Sequence, residues 1–246
     1  MYKILAIILL SGFTLFSWSQ VDDGSAAWGT DSLNEQLVSD MEYADLGFLW
    51  FGDLSQDSRL GFTGDNYQRL QIRFVSVIKN YDNPFEYFLY GKSRTANHTC
   101  DLQGSLVIAE VGVIEDEEHP DLTRGYASGD YVMFEDQSCF SAGVYRGNFL
   151  TRFYIDKNGT FHYDDLDIDN PRFTNNEFTG DWEEYFSDTI RTANWGDRRI
   201  PDSGDLDAGE KAFYPAYKYQ QYGWKEYLEE RKKAEVGEKG EEWWKR

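Results

Sequence analysis

From Gly129 to Asp165 the chain reads GDYVMFEDQSCFSAGVYRGNFLTRFYIDKNGTFHYDD. Within it Tyr145, Gly147, Phe149, Thr151, Phe153 and Ile155 take the odd positions, against Arg146, Asn148 and Arg152 on the even ones. Alternation with a period of two marks a strand with one buried and one wet face. Asp156-Lys157-Asn158-Gly159 then ends the strand, because Asn and Gly tolerate positive φ and favour a tight hairpin turn. Phe161 and Tyr163 resume the alternation on the way back, so an antiparallel meander is the expected core.

The same reading extends in both directions. Between Tyr67 and Ile78, the apolar Leu70, Ile72 and Phe74 alternate with Arg69, Gln71 and Arg73. Phe85 to Tyr90 is aromatic and continuous, as a strand buried on both faces would be. Leu102 to Ile114 reads as one long bent strand or a strand pair, with Gly104 and Gly112 as candidate bulges. Phe178, Gly180, Trp182 and Phe186 alternate with Glu177, Asp181, Glu183 and Tyr185 in a further strand. Leu46 to Phe51, a compact apolar run with Trp50, reads as the first strand, and Gly61 to Asn66 as a turn-rich break. About eight short strands without intervening helices imply a mainly β fold. The expected form is an antiparallel up-and-down meander, either a closed lipocalin-like barrel or a sandwich, and closure would remove exposed strand edges. Trp224 to Ala234 is the expected C-terminal helix, with Glu229 and Lys233 as an i,i+4 pair.

The expected domain layout is a signal peptide over residues 1–19, a mobile N-terminal arm over 20–45, a β-barrel domain over 46–215, and a C-terminal helix and charged tail over 216–246. Lys3, the apolar run from Ile4 to Phe16, and the small residues Ser17 and Ser19 before Gln20 have the form of a cleaved export signal. The chain is therefore expected to be secreted or periplasmic, with no membrane insertion after cleavage. The arm is expected to hold a short helix around Leu33 to Met41. Only Cys100 and Cys139 are present, and an even count in an exported chain suggests a disulfide between them.

The 246 residues carry a formal net charge of −20, which argues against nucleic acid or an anionic membrane as a partner. Two acidic stretches could meet a cation. Asp165-x-Asp167-x-Asp169 resembles the opening of a calcium loop, but Asn170 and Asn176 stand where that loop requires Gly and Glu. The segment Asn194 to Glu210 is denser in candidates. Trp195 could offer a stacking face, Arg198 and Arg199 charged donors, and Asp202, Asp205 and Asp207 the oxygens for a metal, with calcium the natural choice. The alternative for this segment is that it staples the C-terminal part to the barrel, with Trp195 buried and an arginine paired to an acid. His98, His119 and His162 stand alone, without the close partners of a zinc site. No nucleophile elbow, phosphate loop or dinucleotide fingerprint occurs.

The segments Gly64-Asp65-Asn66-Tyr67-Gln68-Arg69-Leu70, Tyr90-Gly91-Lys92-Ser93, Tyr154-Ile155-Asp156-Lys157-Asn158-Gly159, Tyr163-Asp164-Asp165 and Asn194-Trp195-Gly196-Asp197-Arg198-Arg199-Ile200-Pro201 resemble those of a group of uncharacterised exported bacterial β-rich proteins. The resemblance spans Leu46 to Trp224 and brings no assigned activity, so no site residue carries over. In strand pattern alone the meander also resembles lipocalins, whose Gly-x-Trp motif lies near the first strand, whereas Gly180-Asp181-Trp182 comes late here. The expected function is a non-enzymatic binding or interaction protein for a small or polar ligand such as a glycan. Its rivals are a hydrolase with paired carboxylates and an envelope-associated structural protein without a pocket. Whether the barrel interior is open or filled discriminates among them.

Overall fold

The chain wraps nine strands into one antiparallel sheet in the computed structural model, which describes residues 35–51, 59–96, 98–238, 240 and 242–245. The strands are β1 (Arg59–Thr63), β2 (Gln68–Lys79), β3 (Glu86–Thr95), β4 (His98–Ile114), β5 (Thr123–Glu135), β6 (Gly143–Ile155), β7 (Phe161–Tyr163), β8 (Asn175–Glu184) and β9 (Ile190–Asp197). Each pairs with its sequence neighbour from β1 to β6, β8 then pairs with β6 and β9, and β9 returns to β1. The result is a closed, eight-stranded up-and-down barrel. Strand β7 lies outside it, as a short hairpin on the end of β6. Its turn is the one the sequence indicates: Gly159 has φ 80° and Asp156 Oδ1 accepts the Asn158 and Thr160 N–H groups at 2.8 and 3.1 Å.

Two short helices precede the barrel, α1 (Glu35–Tyr43) and α2 (Phe48–Phe51). The second corrects the strand expected over Leu46 to Phe51. Leu46, Leu49 and Trp50 are buried while Phe48 and Phe51 are exposed, a spacing of three and four that belongs to a helical turn. These helices plug one end of the barrel. Lys79 Nζ, at the end of β2, donates to the carbonyls of Met41 and Glu42 at 3.0 and 2.7 Å and also to that of Ala44 at 2.5 Å. Trp50 enters between Tyr87 and Phe149 and donates from Nε1 to Thr151 Oγ1 at 2.7 Å. The expected signal peptide and residues 20–34 of the expected arm lie outside the described residues.

Three other expectations are corrected. Gly61 to Asn66 is not all turn, since β1 runs through Thr63. Phe85 to Tyr90 is not buried on both faces: Tyr87 and Leu89 point inward and Phe88 and Tyr90 lie exposed on the outer wall. The stretch from Leu102 to Ile114 is one long strand, the first of its two readings, but its register shift falls between Ile108 and Glu110 rather than at either glycine.

After β9 the chain crosses the outer face of β1 and ends in a helical run from Tyr217 to Glu235, whose regular part is α3 (Lys225–Glu235). This crossing builds a second core on the outside of the barrel, where Leu60 and Phe62 meet Ile200, Leu206, Phe213 and Trp224. Arg69 pairs with Glu230 at 2.6 Å and Trp224 Nε1 donates to the Tyr67 carbonyl at 2.7 Å, which hold the segment down. The tail returns to the β2–β3 wall, where the Arg73 guanidinium lies 4.3 Å from the Trp244 ring.

Candidate functional site

The barrel interior is filled. Phe149, Phe178, Trp195, Gly61 and Leu70 sit side by side across β6, β8, β9, β1 and β2. Phe178 stacks on Trp195 with centroids 4.9 Å apart, and Tyr131 and Tyr145 meet the same indole edge-on at 5.2 and 5.9 Å. Gly61 makes this row fit, because a Cβ there would stand 2.8 Å from that of Trp195. Bulky rings on one strand facing a glycine on the next are how a narrow barrel packs to interior density.

Two polar networks are enclosed with the rings. At the plugged end Asp197 pairs with Arg59 at 3.2 Å and accepts from Asn176 Nδ2 at 2.7 Å and from the Tyr163 hydroxyl at 3.1 Å. Asn176 and Arg59 also hold the plug, through the carbonyls of Leu49 at 2.8 Å and Trp50 at 3.3 Å. Burial pushes the Asp197 carboxyl up to about 7, against the pull of Arg59 and its hydrogen-bond donors. At the far end Glu135 is fixed by four donors: Ser93 Oγ, the Gly143 N–H at 2.9 Å, Tyr145 OH at 3.2 Å and Trp182 Nε1 at 3.0 Å. Its negative charge adds to burial in raising Tyr145 well above the ordinary phenol range.

Outside the barrel at this far end lies a groove of about 580 Å³, lined by Tyr90, Asp101, Leu102, Gln103, Phe134, Glu135, Asp136, Gln137 and Tyr185. Tyr90, Gln103 and Phe134 form one outward row across β3, β4 and β5. The loop that follows β5 makes the groove wall and is tied down several times. Cys100 and Cys139 form the expected disulfide, with Cα atoms 6.0 Å apart. Asp136 N–H donates to the Asp101 carbonyl at 2.9 Å, and the Tyr185 hydroxyl to the Glu135 carbonyl at 3.1 Å.

The residues singled out between Asn194 and Glu210 are placed differently from one another. Trp195 is wholly buried in the barrel, with its ring on Phe178 rather than on a loop surface. Asn194 to Asp197 belong to β9, so the segment opens in a strand and not in a loop. Arg198 is exposed with φ 69°. Arg199 donates to the carbonyl of Pro171 at 2.6 Å, to that of Gly209 at 3.0 Å, and to the Asp207 carboxylate. It borders a shallow depression of about 510 Å³ with Arg172, Gly209 and Glu210. Asp205 is engaged by Lys218 and by the Tyr219 hydroxyl, and Asp202 is exposed with φ 52°. Asp205 and Asp207 are thus directed to different partners, and Asp202 stands on the surface. No group of three or more His, Cys, Asp or Glu side chains suited to a metal occurs among the described residues. Ile200 and Leu206 of the same segment pack on Leu60 and Phe62 of β1.

Of the run Asp165 to Asp169, Asp167 serves a cation of the chain itself. Arg124 meets Asp116, Asp164 and Asp167 at 3.2, 2.8 and 2.9 Å, and those carboxylates hold its guanidinium above the ordinary range despite burial. Burial opposes ionisation of Asp116, yet hydrogen bonds from His119, the Glu118 N–H and Arg124 bring it down to about 2. His162 pairs with Asp156 at 3.2 Å, and His98 lies against Phe140 with centroids 5.6 Å apart.

Glu135 and the groove residues escape a motif search, yet the sequence carries a signal for them. In Tyr131-Val132-Met133-Phe134-Glu135 the inward phase ends on an acid and the outward phase on a phenylalanine. A polarity inversion at the end of a strand marks a place where the wall serves something besides packing. No protein-family model, curated protein or solved structure matches the chain. Among the described residues no helix is long and apolar enough to cross a membrane.

Proposed function

We propose that this chain is an exported, non-enzymatic β-barrel binding protein that engages a small or polar ligand on its outer surface. The filled interior, where rings from β5, β6, β8 and β9 occupy the space in which a lipocalin-like barrel would hold its ligand, by itself favours the structural rival. The observation that carries the binding reading is the groove of about 580 Å³ on the outer wall, with Tyr90 and Phe134 exposed along it. Recognition therefore falls to the outer walls and rims, where loops on a rigid scaffold present side chains. The disulfide suits an extracytoplasmic location, secreted or periplasmic. The charge of −20 directs the chain away from nucleic acid. Calcium is to be tried beside organic ligands, with Asp205 and Asp207 already engaged by Lys218 and Arg199 and Asp202 left exposed.

The test is a thermal-shift and product screen of the full chain against oligosaccharides, peptides and calcium. The expected outcome is a ligand-dependent rise in Tm with no product formed. Product formation that disappears when a groove carboxylate is replaced would make the protein a hydrolase instead. No shift and no product across the screen would favour an envelope-associated structural protein.

A further inference from the structure

We propose that the groove beside the Cys100–Cys139 loop is a binding site for a neutral oligosaccharide, an inference that rests on the binding role proposed above. The row Tyr90–Gln103–Phe134 spans three adjacent strands, so its two rings stand about 10 Å apart with an amide between them. Both rings are partly exposed, Tyr90 at 39% and Phe134 at 40%. A pyranose offers an apolar C–H face to such rings and a rim of hydroxyls to the amide, which is the division of labour of an aromatic site with a few polar anchors. The volume of about 580 Å³ falls within the ~300–1,000 Å³ of small-ligand sites.

Charge selects the ligand class. Among the described residues no Lys, Arg or His lines the groove, and Lys92, which pairs with the lining Asp101, is spent on that carboxylate, so in a chain of net charge −20 an anionic ligand meets repulsion. A cationic ligand finds the carboxylates committed. Asp101 is paired with Lys92 at 2.6 Å and accepts the Tyr90 hydroxyl at 3.1 Å. Glu135 is turned into the barrel, where its four donors hold it. Asp136 Oδ1 accepts the Ser138 N–H at 2.8 Å. Beside the paired Asp101 and the exposed Asp136, the groove presents outward its rings and the exposed side chains of Gln103 and Gln137, which suit a neutral, hydroxyl-rich ligand.

The wall is preorganised, which lowers the ordering cost of binding. The disulfide ties the β5–β6 connection to β4, while the bond from Tyr185 OH to the Glu135 carbonyl and the backbone bond from Tyr185 N–H to the Ala142 carbonyl at 2.9 Å tie it to the β8–β9 connection. Phe140 and Phe186, 81% and 95% exposed, stand on those two connections and extend the aromatic surface beyond the groove. Phe186 holds φ 61°, so its exposure is built into the turn.

The experiment titrates the full chain by calorimetry with cellohexaose, xylohexaose, mannohexaose and laminarihexaose, and with spermine and a hexagalacturonate as charged probes. At least one neutral hexasaccharide should bind. Tyr90→Ala and Phe134→Ala should each weaken it about tenfold, while Phe88→Ala, an exposed aromatic on the same wall, leaves affinity within about twofold. Gln103→Ala, whose amide is exposed, serves as the third variant if a ring replacement unfolds the chain. Neutral sugar binding that ignores all three groove variants would overturn the site. If that binding is instead lost in Asp202→Ala or Asp205→Ala, the site moves to the later loop and the binding role stands. Spermine or galacturonate binding that needs Phe134, without any neutral sugar bound, would overturn the ligand class and keep the binding role. No binding by any probe, here or in the wider screen, would overturn both.

Discussion

Glu135 and Asp197 are both enclosed by the barrel, and they are stabilised by opposite means. Glu135 is held by neutral donors, whereas Asp197 faces a guanidinium in a site dry enough to lift its carboxyl from the ordinary value of 3.8 to about 7. The sign of the pH effect follows. Between those two values the folded chain holds a proton on Asp197 that the unfolded chain releases, so the contribution to stability is full at low pH and is lost as pH rises through about 7. Urea unfolding of the parent should therefore weaken from pH 5 to pH 8, and Asp197→Asn should flatten that slope. At pH 8 the variant should also be less stable by about 3 kcal/mol, because Arg59 loses its buried counter-charge. Equal slopes in parent and variant would show that Asp197 titrates at the same pH in both states. At this scale the sequence was partly legible. The inversion at Phe134 and Glu135 could be read from alternation alone, but Trp195 could not be told from a loop aromatic, since its burial depends on rings from distant strands.

At the scale of the element, alternation identified the strands that have one wet face, and failed where both faces are covered. Strands β2, β5 and β6 alternate because solvent lies on one side. In β9 the last five residues, Ala193 to Asp197, are all buried, and in β1 four of five are, because the C-terminal crossing covers the outside of the strands that close the barrel. A period of two vanishes under such a cover, and with it the visible sign of closure. The plug escaped for another reason. Its buried residues follow helical spacing over too few turns to be distinguished from a buried strand. The plug should nevertheless be part of the core and not an appendage. Trp50→Ala is expected to cost about 3–5 kcal/mol, from the lost ring volume and the bond to Thr151. Phe48→Ala, at a position 40% exposed in the same helix, should stay within about 0.5 kcal/mol. Denaturant curves of the two variants decide: similar small losses would mean that the helices rest on the barrel without plugging it.

Across the whole molecule, one covalent bond connects the stability of the barrel to the shape of the groove. Cys100 lies near the start of β4 and Cys139 in the connection between β5 and β6, 39 residues later. Closing a loop of that length removes enough freedom from the unfolded chain to contribute about 4 kcal/mol in the chain-entropy picture. The same bond fixes the loop whose neighbours Asp136 and Gln137 line the groove. Its loss should thus act twice. The double variant Cys100→Ala/Cys139→Ala should unfold at lower urea by an amount near 4 kcal/mol. It should also bind any groove ligand more weakly, because the wall must then be ordered on binding. Thiol labelling of the unreduced, denatured parent should find neither cysteine reactive. Two labelled thiols would mean that the chain as isolated lacks the bond. A double variant that loses stability but keeps full affinity would show that the groove is shaped by Glu135 and Tyr185 without help from the disulfide.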